Sequence, residues 1–447
     1  MEKKDINRRQ FLSYTAALGA AGVIVPSVLT SCSNGKKLTP LRPEGSYYIP
    51  ELPDKAIDGR RLKLGVIGCG GRATGAVDNL FEAADGITVQ AIGDVFQDRV
   101  DDMKAGIKEK HNQTVPEENV FVGFDAYRKV IDSGVDIVII ATPPAFRPEH
   151  FRYATEKGVH SFLEKPIAVD AKGYRTIIAT AKQAEAKGLC VVTGTQRHHQ
   201  RPYVEAFDLI QKGYIGEITG GNVYWNQGML WYREREAGWS DMEWMIRDWV
   251  NWEWLSGDHI VEQHVHNIDV FLWMSGLKPI KATSFGGRHR RRTGNQYDMF
   301  STDFEFENGI HLHSMCRQID GCSSNVSEFI QGTKGSWNSE DHEIKDLQGN
   351  VIWKYEENPA FAQHNPYVLE HVDWVNHIRK GEAHVEAEET GNSSLAAVMA
   401  RESAYSGQTV TWDEMAASPL DLVPENLELG KMDMSKYVIP VPGTSEE

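Results

Sequence analysis

The chain has 447 residues, more than one ordinary domain holds, and its 41% hydrophobic and 25% charged residues suit a globular protein rather than a disordered or fibrous one. Basic side chains number 47 and acidic ones 63, a formal charge of −16, which excludes the basic footprint of a nucleic-acid binder. No apolar run reaches the roughly 18 residues that span a bilayer, and five unevenly spaced cysteines give neither a disulfide framework nor a zinc motif.

Residues 1–32 read as an address. Asn7-Arg8-Arg9-Gln10-Phe11-Leu12 precedes an Ala- and Gly-rich apolar stretch that ends in Leu29-Thr30-Ser31-Cys32. A charged start, a weakly hydrophobic middle and a small-residue cleavage site make a signal peptide. The twin arginines resemble a twin-arginine export signal, and the last four residues resemble a bacterial lipobox, whose cysteine takes lipid. The expectation is a periplasm-facing protein held to the membrane only through lipid on Cys32. An exported protein of this kind would carry any cofactor folded in. Residues 33–60, with Pro40, Pro43, Pro50 and Pro53, keep neither a 2- nor a 3.6-residue period and are predicted to be a tether.

A dinucleotide-binding unit is predicted over 61–196. Lys63–Ile67 is a short strand, Gly68-Cys69-Gly70-Gly71-Arg72-Ala73 follows, and a helix opens behind it. Gly68 permits the tight turn, Gly70 lets the backbone approach a pyrophosphate, and Ala73 allows close helix–strand packing. Gly71 and Arg72 complete the loop at the helix N-terminus, which favours phosphate. A second strand, Ile87–Gly93, ends at Asp94, whose carboxylate suits ribose hydroxyls and repels a 2′-phosphate; NAD is favoured over NADP. The apolar run Val135–Ala141 is a buried strand stopped by Thr142-Pro143-Pro144, at the carboxyl end where such sheets hold ligands. A helix over 148–158, a strand over 159–163 ended by Glu164-Lys165-Pro166, a helix capped by Asp170 and stopped at Gly188, and a strand over 189–193 continue the alternation. The fold class is an α/β Rossmann domain followed by something different.

From 197 to 447 the pattern is α+β. Alternating stretches such as Thr302–Phe306 and Ile310–His313 predict a large, open, mostly antiparallel sheet. Closing helices are placed within 366–406, and a surface tail over 410–447. Seven of the twelve tryptophans fall between Trp225 and Trp254, suited to apolar sugar faces as well as to a core. Arg288–Arg292 reads as a solvated turn. Cys316 and Cys322 are close enough in sequence to pair, but spacing alone does not establish it.

Gly68-x-Gly70, Asp94, Glu164-Lys165-Pro166 and the stretch Gly257–Asp269 occur in this order, and together they resemble the Gfo/Idh/MocA oxidoreductases. The resemblance covers 62 to about 410. It implies a Rossmann domain joined to an open-sheet domain that often carries the oligomer contact, and chemistry at a secondary hydroxyl of a sugar or cyclitol. The third family motif is met by Glu262-Gln263-His264-Val265-His266-Asn267-Ile268-Asp269, with Glu for the first Asp, His264 in place of a glycine, and no role assigned to His264. The resemblance makes Lys165 and His266 the catalytic positions and Glu262 the assisting carboxylate. It also puts Glu164 and Lys165 beside the cofactor with Thr142 and Pro143.

Oxidising a carbinol needs a base and a positive group near the developing oxyanion. Lys165 supplies the charge, and either Lys165 or His266 the base. On one continuous helix Glu262 and His266 would lie a turn apart and share a proton network. His259, Glu262 and His266 also have metal-ligand spacing, but sixteen histidines make chance clusters common, and no metal is expected. His198 and His199 either line the cleft or start a helix.

The expected function is hydride transfer between NAD and a ring hydroxyl of a sugar or glycoside, in a homo-oligomer. The alternatives are a glycosidase that uses bound NAD transiently and a non-catalytic sugar-binding protein that keeps NAD.

Overall fold

The computed structural model describes residues 38–444. Arg8, Arg9 and Cys32 lie outside the described residues. Among the described residues no helix is long and apolar enough to cross a membrane.

The first sheet is parallel and has seven strands: β1 (Leu62–Ile67), β2 (Ile87–Asp94), β3 (Val120–Val122), β4 (Ile137–Ile140), β5 (His160–Leu163), β6 (Cys190–Thr193) and, from far along the chain, β15 (His384–Val385), in the order β15-β6-β5-β4-β1-β2-β3. β4 shows why a continuous apolar run is needed. Its side chains alternate between faces. Ile137 and Ile139 enter the core shared with helices Gly71–Ala83 and Pro366–Lys380. Val138 and Ile140 enter the core shared with helices Arg147–Glu156 and Ala171–Ala186. All four are fully buried, each stabilising the fold by about 1.5–3 kcal/mol. Asp170 caps the last of these helices, its carboxylate accepting from the Gly173 N–H at 2.6 Å.

The second sheet has nine strands: β7 (Ile218–Gln227), β8 (Lys281–Gly287), β9 (Met299–Glu305), β10 (His311–Gln318), β11 (Asn325–Gly332), β12 (Gly335–Asn338), β13 (Glu343–Asp346), β14 (Val351–Lys354) and β16 (Val410–Thr411). The order is β14-β13-β12-β11-β7-β10-β9-β8-β16, antiparallel except for the central β7–β10 pair. One face packs on helices Val265–Ser275 and Ala387–Ser406; the other leaves Phe285 and Met299 exposed.

Three predicted boundaries shift. Residues 39–60 are no free tether: Leu41 N–H donates to Gln211 O at 2.8 Å, Arg42 bonds the Gln211 side chain, and Leu52 is buried. The helix Pro366–Lys380, expected in the second domain, buries Val368, Val372, Trp374 and Val375 against the first sheet. Its apolar stripe specified a partner face but not which sheet supplies it. The tail is structural: β16 extends the second sheet, and Leu422, Val423 and Leu427 pack beside Phe96 and Phe146 of the first domain.

Candidate active site

A cavity of about 590 Å³ opens at the carboxyl ends of β1, β2 and β4. It is lined by Gly68, Gly70, Gly71, Arg72, Asp94, Thr142 and Pro143, seven of the predicted cofactor residues. The loop fits a dinucleotide. Gly68 has φ +86°, and a Cβ there would meet the Thr142 main-chain N at 2.8 Å; at Gly70 and Gly71 a Cβ would meet nothing within 4 Å. The second and third glycines therefore face open space where a phosphate can approach. The helix Gly71–Ala83 has no side-chain cap, so its first-turn N–H groups remain available to an anion. Ala73 is fully buried beneath the loop. Asp94 accepts from Cys69 N–H at 2.7 Å and from Phe96 N–H at 3.0 Å, and burial pushes its carboxyl up. It thus shapes the loop as well as facing the ribose region. Trp231, Arg233 and Trp249 form the far wall with Val423 and Leu427 of the tail. Those tryptophans, expected at a sugar face, border the dinucleotide cavity; Trp252 and Trp254 are core.

Glu164 and Lys165 do not line this cavity; they stand behind it. Glu164 is buried and paired with Arg72, which also reaches Glu370 at 3.3 Å. Burial pushes the Glu370 carboxyl well above the carboxylate range. Arg72 therefore links the phosphate loop to the Glu164-Lys165-Pro166 turn. The Lys165 ammonium donates to the Glu262 main-chain O at 2.6 Å and to its Oε1 at 3.2 Å. The first contact exists because the helix is broken. Residues 259–262 and 265–275 form separate helices, and His266 N–H bonds Gln263 O, leaving Glu262 O free. The continuous stripe expected from spacing is thereby corrected, and no hydrogen bond joins the Glu262 and His266 side chains among the described residues. His264, in the break, is buried and bonds Ser314 of β10 at 2.7 Å, tying the break to the second sheet.

His266 is buried, its ring stacked on Trp225 at 5.6 Å. Burial, then the charges of Lys165, Arg197 and Arg72, hold it well below the ordinary histidine range. The ring is therefore a neutral acceptor at neutral pH. If His266 takes the substrate proton, kcat/KM should stay level as pH falls through 6.5 and decline only at lower pH, because the neutral form persists. A pH profile from 4 to 8 checks this; an acid limb at or above 6.5 that His266→Gln removes would contradict it.

Several buried residues around this site had no sequence signal. Arg147 is fully buried, and burial lowers its guanidinium to about 10; it donates to Thr142 O at 2.8 Å and Pro166 O at 2.6 Å, fixing two strand ends together. Arg197 lies over the Trp225 ring at 5.5 Å and pairs with Glu328 at 3.0 Å. Neither could be found from a motif. His198 pairs with Asp269 at 2.7 Å and His199 with Asp373 at 3.1 Å; both are buried just before the helix Arg201–Gln211 and line a small cavity apart from the dinucleotide cavity. The metal triad considered from spacing does not assemble, since His259 bonds Asp258, Glu262 holds Lys165 and His266 lies on Trp225. Arg288 and Arg291 are spent on loop carbonyls. Cys316 is buried, Cys322 exposed, and both are free.

Two family models match the chain: the oxidoreductase family NAD-binding Rossmann fold over 62–195, and the GFO/IDH/MocA C-terminal domain over 203–338. Between them they cover more than half of it, and the chain belongs to the Gfo/Idh/MocA family. Its first domain is the NAD-binding Rossmann fold of that family. Among curated relatives it is similar to a glycosyl hydrolase family 109 protein of Shewanella pealeana and an alpha-N-acetylgalactosaminidase of Shewanella oneidensis, each 26% identical over 51% of this chain and 47% of the relative. The chain spans about half the length of these relatives. Its fold matches scyllo-inositol dehydrogenase from Lactobacillus casei with bound NAD(H) and scyllo-inositol (20% identity, TM-score 0.60, 78% of this chain and 99% of that one). It also matches aldose-aldose oxidoreductase from Caulobacter crescentus (17% identity, TM-score 0.61, 79% and 100%).

Proposed function

We propose that the protein exchanges a hydride between NAD and a secondary ring hydroxyl or ketone of a sugar or glycoside. The observation that carries this is the Lys165 ammonium, fixed by two oxygens of Glu262, with the neutral imidazole of His266 within its field. When bound, the nicotinamide accepts the hydride or returns it. Lys165 hydrogen bonds the substrate oxygen and stabilises the negative charge that grows there. His266 accepts the hydroxyl proton, its ring held by Trp225. Glu262 aims Lys165 rather than transferring a proton itself.

The glycosyl hydrolase family 109 relatives favour a second reading. Oxidising a ring carbon acidifies the neighbouring C–H, so the same lysine and histidine would serve elimination of the aglycone, addition of water to the unsaturated ketone and re-reduction by the reduced cofactor. A panel of aryl glycosides separates the two, with reduced-cofactor absorbance and freed aglycone followed together. Keto product with accumulating reduced cofactor is expected for the oxidoreductase. Aglycone release without net redox change would establish the glycosidase, and silence in both channels a sugar-binding protein.

We further propose that the chain is exported through Arg8-Arg9 and anchored through lipid on Cys32, and that the open face of the second sheet joins copies of the chain. Cys32→Ala should move the protein from the membrane fraction to the soluble one. Arg8→Lys with Arg9→Lys should strand the precursor inside the cell. Membrane retention of the Cys32→Ala protein would overturn the lipid anchor.

A further inference from the structure

A second polar cluster lies apart from Lys165, where the loop after β6, the helix Pro366–Lys380 and the residue after β15 meet. His199, Asp373 and Glu386 come from these three stretches, all are buried, and their ligand atoms lie within 4.8 Å of one another. His199 Nε2 stands 3.1 Å from Asp373 Oδ2 and 3.7 Å from Glu386 Oε1. With bonds of about 2.0–2.1 Å, two ligands of a tetrahedral ion sit about 3.3 Å apart, and both separations bracket that value. Hydrogen bonding accounts for part of the cluster: His199 serves Asp373 at 3.1 Å, and His384 Nε2 reaches the same Glu386 Oε1 at 3.3 Å, a separation that also matches neighbouring ligands of one ion. One N–H of His199 can donate to only one of the two carboxylates, and 3.7 Å is too long for the other.

The surroundings of the two carboxylates are those of oriented ligands, whereas Nδ1 of His199 has no hydrogen-bond partner among the described residues. The outer oxygens of both carboxylates are already held. Asp373 Oδ1 accepts from the Tyr48 hydroxyl at 2.7 Å, and Glu386 Oε2 from Thr193 N–H at 2.7 Å and its hydroxyl at 3.1 Å. Such donors turn the remaining oxygens inward, as partners of metal-bound carboxylates do. Two buried carboxylates side by side require compensating positive charge, a role that His199 and His384, 3.3 Å from Glu386 Oε1, would share with an ion. A separate cavity of about 220 Å³ reaches His199 and Glu386, room for a further ligand such as water.

We propose that His199, Asp373 and Glu386 form a site for one divalent transition-metal ion, with a fourth position open to this cavity. A mixed nitrogen and oxygen set suits zinc or a neighbouring divalent ion. The ion would tie the first sheet to the loop that leads into the second domain.

The test uses the whole protein, stripped with a chelator and titrated with zinc alone against a chromophoric competitor. One equivalent is expected to bind, with the thermal midpoint raised on binding. Asp373→Asn and Glu386→Gln should each weaken binding by about 100-fold or more, since even outer partners of a metal site contribute 10- to 100-fold. Cobalt replacing zinc in the wild type should give the strong visible bands of a four-coordinate ion, a readout that does not depend on a variant folding. Weak octahedral bands, no uptake by the wild type, undiminished uptake by the double variant Asp373→Asn/Glu386→Gln, or uptake lost in Glu262→Gln would each overturn the site.

Discussion

Lys165→Ala is expected to lower turnover by about 100-fold or more while NAD stays bound. The side chain does not border the phosphate cavity, so cofactor retention should survive. What disappears is a fixed ammonium, 11% exposed, whose position is set by the Glu262 main-chain O at 2.6 Å and the Glu262 carboxylate at 3.2 Å. Glu262→Gln should cost less, because the main-chain oxygen remains and an amide oxygen still accepts. His266→Ala should cost about as much as Lys165→Ala. The double variant should lose less than the two singles together in free-energy terms, because groups that act on one proton are not additive. Lysine removal also leaves Glu262 buried without its partner, which destabilises the fold. Rates are therefore compared at a temperature where circular dichroism shows each variant folded. Near-wild-type rates in both single variants would place the chemistry elsewhere.

The first domain was legible because each of its rules is local. β4 reads as a strand from four consecutive apolar residues, Gly68 from its need for positive φ, and Asp170 from its capping position. The stretch proposed to carry the chemistry was legible only in part. Glu262 and His266 were found by motif, but spacing implied one helix, and the break at Gln263 is a tertiary feature. His264 is drawn into the protein by Ser314, fifty residues away in sequence. That break frees the Glu262 carbonyl, so the contact that positions Lys165 could not be read from side-chain identity. Long-range returns were invisible for the same reason. Glu370 and the wall residues Val423 and Leu427 sit far from the glycine loop in sequence, and an amphipathic pattern names a buried face without naming its partner. Sequence likewise placed His198 and His199 in the chain while leaving open that each faces a buried carboxylate.

Gly70→Val is expected to abolish bound NAD while leaving the fold intact, and Gly68→Ala to do nearly the reverse. A Cβ at Gly70 meets nothing within 4 Å beyond its chain neighbours, so valine is expected to be accommodated by the fold, but its methyls enter the space through which a pyrophosphate approaches the backbone. Gly68 has φ +86°, and an added Cβ would stand 2.8 Å from Thr142 N and 2.9 Å from Ala141 C, both main chain and unable to give way cheaply. Strain of that kind costs about 1–3 kcal/mol. In a chain of this length it lowers the melting midpoint by about 1–3 °C. The measurement is NAD(H) released on denaturing purified protein, near-stoichiometric for the wild type, with melting recorded on cofactor-free samples. The cofactor-free comparison matters because a ligand bound only to the folded state raises the midpoint by mass action, so losing it would mimic a folding defect. Gly70→Val should then melt with the wild type and Gly68→Ala below it. Retention of NAD by Gly70→Val would mean that the dinucleotide does not approach this loop.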